Sequence, residues 1–240
     1  MKLTRPRNIE IVDFLKTINK RALEQMECYL GGGMAISLLN QEYRITSDLN
    51  FVSCTREGYK KLHETIFDGD FDLLFKAGEA PKRLRDVASN QYGMKAAVEL
   101  NGAPLALQFA RETRFHGKIQ DSQLPVPVLS KVSLFTDKLL ANMDRHSDKA
   151  ALSKDVFDLI IMTKNWGDIP DQAVVDAVKA YGEPVGRCFE IAVVALRSDS
   201  DYFRSCVKAL DIDSAHELVL SDFIHIVGSE HLVNSKVDKL

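Results

Sequence analysis

Apolar residues recur along the first stretch of the chain at helical spacing. Ile11, Phe14, Leu15, Ile18, Leu23 and Met26 fall on one face with charges between them, which predicts one amphipathic helix over residues 8 to about 29. The glycine run Gly31-Gly32-Gly33 follows, and then a short apolar helix from Met34 to about Asn40. Leu49–Ser53 reads as a strand. Thr55 reads as the cap of a helix through Lys60, Leu62 and Ile66, and the apolar run Phe71–Phe75 as a further strand. Two β-rich runs, Met94–Leu100 and Leu105–Arg111, flank Asn101-Gly102, a hairpin signal whose loop Ala103-Pro104 is expected to lengthen.

The pattern changes after Lys118. Asp121–Pro127, with Pro125 and Pro127 two residues apart, suits neither helix nor central strand and reads as a linker or extended crossing segment. Beyond Ser130 the spacing predicts helices near 131–145, 150–165, 170–181, 185–197, 199–210 and 214–227, punctuated by Gly167, Pro170, Gly182, Pro184 and Asp211–Asp213. The order implies an α+β class: a mixed-sheet domain with flanking helices over residues 1–128, then an all-helical domain over 129–240.

Composition narrows the picture further. A net charge of −3 over 240 residues argues against non-specific wrapping of nucleic acid by the whole surface, though a local basic groove stays open. The cysteines, Cys28, Cys54, Cys188 and Cys206, form no C-x-x-C pair, so a structural zinc site is not expected and a reducing compartment is. No run approaches the roughly 18–20 apolar residues that span a bilayer. The charges Lys2, Arg5, Arg7, Glu10, Asp13, Lys16 and Lys20 leave no secretory leader at the start, so a cytoplasmic protein with no membrane partner is expected.

The candidate chemistry lies at the glycine run and the strand after it. Glycines opening a helix let backbone approach a phosphate and aim free N–H groups and the positive helix end at it. Asp48 and Asn50, two residues apart on a strand, share a face. A carboxylate there could hold a magnesium ion bridging nucleotide phosphates. The bland alternatives are a tight turn for the glycines and a solvated strand start for Asp48.

Gly32-Gly33-Met34-Ala35, followed by Arg44-x-Thr46-x-Asp48-x-Asn50-Phe51, resembles the AbiEii/AbiGii toxin family of nucleotidyltransferases, whose pattern is Gly-Gly-Thr-Ala and then Arg-x-Ser/Thr-x-Asp-x-Asp-Phe. Asp137-Lys138-Leu139-Leu140-Ala141 and Lys154-Asp155-x-x-Asp158-Leu159 look like two further helices of that family. The resemblance implies a polymerase-β-like nucleotidyltransferase fold with a helical second half. It also implies transfer of a nucleotide from a nucleoside triphosphate to an RNA or protein acceptor, with Mg2+ or Mn2+, in abortive phage infection or beside a cognate antitoxin. By the same resemblance Gly32, Gly33, Arg44 and Thr46 bind the nucleotide, and Asp48 with Asn50 holds the metal. Lys138 neutralises the triphosphate, and Asp155 positions or activates the acceptor. Lys138 reads equally as one more charge on an amphipathic helix, and Asp155 as a carboxylate favoured by a helix start.

Three positions depart from the family pattern. Met34 stands where a small hydroxyl residue would donate to phosphate, and Asn50 where a second metal carboxylate would stand. Gln108 occupies the strand position at which a third acid is expected. Amide oxygens can ligate magnesium but bring no charge. The alternative function is therefore a catalytically weakened descendant serving as a binding or regulatory module.

Overall fold

The computed structural model describes residues 2–182 and 184–226. They cluster into two compact units, one running to Glu42 and resuming over Ser47–Ser130, the other made of Tyr43–Thr46 and the chain from Lys131 onward.

The first unit opens with two helices, α1 (Pro6–Thr17) and α2 (Lys20–Gln25), where the apolar spacing predicts one. The break has a local cause. Ile18 turns extended at φ −70°, ψ 139°, and forms a bridge with Phe75. Asn19 then starts a new helix by accepting a hydrogen bond from the Ala22 N–H at 3.2 Å. The apolar face survives the break, since Ile11, Phe14, Leu15, Ile18, Leu23 and Met26 are all buried. The expected helix also stops early, because Glu27 is left-handed at φ 46° and strand β1 (Cys28–Gly31) begins behind it.

Helix α3 (Gly32–Leu39), strand β2 (Asp48–Ser53) and helix α4 (Arg56–Ile66) follow, the last capped by Thr55 as its sequence predicts. Phe71–Leu74 is a 3-10 turn and not a strand. Phe71, Leu74 and Phe75 are buried while Leu73 is 58% exposed, so the run is amphipathic at i, i+3, i+4 and not at period two. Strands β3 (Ala88–Asn90), β4 (Gly93–Leu100), β5 (Ala103–Arg111), β6 (Ile119–Gln120) and β7 (Val128–Leu129) complete one mixed seven-stranded sheet in the order β3-β4-β5-β2-β1-β7-β6. The β4–β5 loop is only Asn101-Gly102, with both residues at positive φ (51° and 78°), the mirror-image turn that matches strand twist. Ala103 and Pro104 do not lengthen it but pair with Leu100 and Glu99. Pro104 is tolerated because pairing of β5 with β2 starts only at Ala106.

The second unit is helical: α5 (Lys131–Arg145), α6 (Lys154–Trp166), α7 (Asp171–Tyr181), α8 (Pro184–Ser198), α9 (Ser200–Ala209) and α10 (Ser214–Ile226). Residue 227, the expected end of the last helix, lies outside the described residues. The helix expected from 150 begins at Lys154, because Leu152 and Ser153 are both left-handed after a 3-10 turn over Lys149–Ala151. Phe135 and Trp166 meet edge-on at 6.1 Å, as do Phe157 and Phe203 at 6.0 Å, which ties α5 to α6 and α6 to α9. No helix among the described residues is long and apolar enough to cross a membrane.

Candidate active site

The sheet of the first unit has one buried face and one partly open face, set by strand alternation. Leu49, Phe51, Met94, Ala96, Val98, Leu105, Leu107 and Phe109 are all buried on one side. The residues between them, Asp48, Asn50, Ala106 and Gln108, are half-buried, and Lys95 and Ala110 are exposed. The register then decides which polar groups meet. Asn50 pairs with Gln108 on the parallel neighbour β5 and with Gly31 on β1. The Gln108 amide donates from Nε2 to Asp48 Oδ2 at 2.6 Å, and the Asn50 amide donates from Nδ2 to the same oxygen at 3.1 Å. One carboxylate is thus held between two neutral amides.

The glycines sit directly beside this group. Gly32 has φ +62°, and a Cβ there would lie 2.9 Å from the Asn50 Cβ, so backbone and neighbour both demand glycine. The residue before α3 is Gly31, so the helix opens without a side-chain cap from its N-cap position. Gly33 is half-buried in the first turn of that helix, and Met34, behind it, is completely buried. The Met34 side chain therefore belongs to the apolar core.

The donor chemistry can be tested against a metal ion. Asp48, Asn50 and Gln108 are hard oxygen-bearing side chains, and each amide can present oxygen in place of nitrogen by a half-turn. That set suits a single divalent cation. It does not suit a pair of ions, which requires bridging carboxylates. Among the described residues no three His, Cys, Asp or Glu side chains gather as a metal-ligand group. Of the other acids near this sheet, Glu112 is paired with Arg114 at 2.6 Å and Glu99 with Lys82 at 3.0 Å.

Arg44, Thr46, Lys138 and Asp155 lie in the second unit. Thr46 is half-buried outside any regular element. Arg44, Lys138 and Asp155 are brought together in a buried ionic network whose centre is Asp158. Arg44 grips Asp158 with two hydrogen bonds, both 2.9 Å. Lys138 bridges Asp158 at 2.9 Å and Asp155 at 3.0 Å. Arg145 holds Asp155 from the other side, donating from Nε at 2.5 Å and from NH2 at 2.9 Å, and the Tyr43 hydroxyl donates to Asp158. The side chains of Lys138 and Asp155 are each only 4% exposed, against 37% for Arg145.

Burial alone would raise the pKa of Asp155 and Asp158. The adjoining cations overturn that: Lys138 and Arg145 hold Asp155 well below the usual carboxylate range, and Arg44 and Lys138 hold Asp158 below it. Burial would likewise lower the Lys138 ammonium, but Asp158 and Asp155 outweigh it and push it up. Burial is also the main reason that the Tyr43 phenol is raised, and Asp158 adds to it. All three ionised groups keep their charge at neutral pH. Asp158 and Arg145 were not singled out as site residues from sequence. The helical spacing 138, 145 on α5 and 155, 158 on α6 is the signal that could have found them.

Comparison with known proteins agrees with this architecture. The family described as "Nucleotidyl transferase AbiEii toxin, Type IV TA system" matches residues 13–219. The crystal structure of a candidate nucleotidyltransferase from H. pylori superposes with a TM-score of 0.55 at 13% identity, covering 98% of this chain and 98% of that one. That of JHP933 from Helicobacter pylori superposes with a TM-score of 0.53 at 12% identity, covering 99% and 96%. At these identities the likeness establishes the nucleotidyltransferase fold. None of the curated proteins matches the sequence.

Proposed function

This chain belongs to the AbiEii nucleotidyl transferase toxin family of type IV toxin–antitoxin systems, and from that premise we propose that it transfers a nucleotide from a nucleoside triphosphate to an RNA or protein acceptor, with Mg2+. The observation that carries this reading is Asp48: a half-exposed carboxylate on the open sheet face, beside a helix that opens on glycine without a cap. The N–H groups at Gly32 and Gly33 would receive phosphate oxygens, where backbone donors and the helix dipole favour negative charge. Asp48, with amide oxygens from Asn50 and Gln108, would hold one divalent cation, which supplies positive charge at the phosphate. Gly32 keeps that donor row against Asn50, because any larger residue would displace the amide.

The second unit supports a different assignment of Lys138 and Arg44 from direct nucleotide contact. A ligand that captured either cation would leave a buried carboxylate unpaired, which is costly. We assign Lys138, Arg44 and Asp155 a positioning part, fixing α5, α6 and the 43–46 segment to one another. As a family of toxin–antitoxin systems, the group supports a cognate antitoxin as the protein partner. A second reading, a binding module with weakened catalysis, is favoured by one observation: the neutral amides where carboxylates would hold a second ion.

Calorimetric titration of each common nucleoside triphosphate, with magnesium and with chelator, tests the site. Transfer of labelled nucleotide to RNA and protein fractions tests the activity. Magnesium-dependent binding and transfer, both abolished in Asp48→Ala, are expected. Binding without transfer would move the assignment to the second reading, and binding unaffected by Asp48→Ala would remove the site.

A further inference from the structure

The open face of the sheet continues beyond Gln108. Lys95 on β4 is the register partner of Gln108, which is the register partner of Asn50, which is the partner of Gly31. Side chains at paired positions stand on the same face, so glycine loop, Asn50, Gln108 and Lys95 form one row across four strands. Asp48 joins that row through its hydrogen bonds to Asn50 and Gln108. With strands spaced about 4.8 Å apart, the Lys95 backbone lies roughly 10 Å from that of Asn50, on the side away from the glycines. Its flexible four-carbon stem can carry the ammonium back over Gln108.

Lys95 is exposed and makes no hydrogen bond or ion pair among the described residues. The acid four residues along the same strand, Glu99, is already held by Lys82 at 3.0 Å. Lys95 is flanked on this face by small side chains: Ala88 and Ala110 are exposed, Ala106 is half-buried and Ala97 is buried. The charge on the row is correspondingly unusual. Asp48 contributes one negative charge, Lys95 one positive charge, and Asn50 and Gln108 none. A row so balanced cannot attract two divalent cations, but it can receive a phosphate directly from the protein side.

We propose that Lys95 is a phosphate-binding residue at the far end of the row from the glycine loop, so that the open face holds two phosphate groups, one at the start of α3 and one at Lys95. This rests on the reading of Asp48 as the nucleotide site. The phosphate at Lys95 comes from one of two sources: the triphosphate itself, stretched along the row, or a phosphodiester next to the attacking hydroxyl of a nucleic-acid acceptor.

The test uses the full chain and calorimetry in magnesium and in chelator. Wild type, Lys95→Gln, Lys95→Arg and Asp48→Ala are each titrated with nucleoside triphosphates and with a short single-stranded oligoribonucleotide. Lys95→Gln is expected to weaken one of the two ligands roughly three- to tenfold, as loss of a partly exposed charged contact does, and to leave the other within about twofold. Lys95→Arg should retain the affinity. Weakening of the triphosphate assigns the phosphate to the nucleotide. Weakening of the oligoribonucleotide, with a shallower salt dependence by about one contact, assigns it to the acceptor. If Asp48→Ala loses binding while Lys95→Gln binds both ligands as wild type does, Lys95 is overturned and the Asp48 site stands. If wild type binds neither ligand, both fall together. Lys95 is exposed, so Lys95→Gln is expected to fold, and an unchanged thermal midpoint checks that loss of binding is local.

Discussion

Asp48 and Asp158 are both aspartates met by several hydrogen-bond donors, but the donors differ in charge. Asp48, half-exposed on a sheet face, is met by the neutral amides of Asn50 and Gln108. Asp158, completely buried in the helical unit, is met by the Arg44 guanidinium, the Lys138 ammonium and the Tyr43 hydroxyl. Neutral donors orient a carboxylate without cancelling its charge, so Asp48 keeps a field that an incoming cation or polarised ligand can use. Cationic donors cancel it, so Asp158 has nothing left to offer a ligand. A motif acid is placed for binding by what surrounds it. The Lys-Asp-x-x-Asp motif of α6 uses both of its acids to hold side chains of the helical unit together.

The sharpest way to break this contrast is to remove the buried acid. Asp158→Ala leaves Arg44 and Lys138 buried with a partner missing, a change that costs about 3–5 kcal/mol. For a unit of this size that lowers the thermal midpoint by on the order of 10 °C. The measurement is a thermal melt of the full chain followed by circular dichroism, where the helical second unit dominates the signal. A midpoint within a couple of degrees of wild type would mean that the network's attraction only balances its own desolvation, and that its positioning role is not energetic.

Gly32→Ala is the next largest effect and acts on the other side of the comparison. The residue must leave φ +62° or bear the strain, and its methyl group would overlap the Asn50 Cβ at 2.9 Å. A cost of about 1–3 kcal/mol is expected, from backbone strain and overpacking together. Because the displaced group is a hydrogen-bond donor to Asp48, triphosphate affinity should fall further than stability does. Equal binding by a Gly32→Ala variant that melts as wild type would show that the glycine serves only the turn.

Much of this is legible in the sequence, and what is not has physical causes. The hairpin is readable because Asn101-Gly102 satisfies a turn that few residues can adopt; its length is not, because Pro104 looks like a loop residue and sits where β5 is paired on one side only. Phe71–Phe75 is too short to separate a strand from a 3-10 turn by its period alone. The break at Ile18 depends on a bridge to Phe75, a partner far away in sequence. In the candidate site, the shared face of Asp48 and Asn50 follows from spacing of two on a strand. That Gln108 and Lys95 join their row follows only from strand register, which is a tertiary fact. Tyr43–Thr46 reads locally as the approach to β2, and its membership of the helical unit rests on the grip of Arg44 on Asp158.

The smallest expected effect is also the most diagnostic of the two environments: the pH dependence of the stability difference between wild type and Asp158→Asn. Asp158 is held below its ordinary range by Arg44 and Lys138, against the opposing push of burial. A carboxylate depressed on folding contributes stability that is fully present above its unfolded pKa, about 3.9, and is lost as pH falls through the lower folded value. The difference between the two proteins should therefore be flat from about pH 5 to pH 9 and should narrow only below about pH 4. Lys138 leaves the upper end of that window level, because its ammonium is pushed above its ordinary value by Asp158 and Asp155 and stays charged throughout. Urea unfolding of both proteins at stepped pH reads this directly. A difference that already shrinks between pH 7 and pH 5 would mean that Asp158 is protonated far more easily than a carboxylate between a guanidinium and an ammonium can be, and the network as drawn would have to be abandoned.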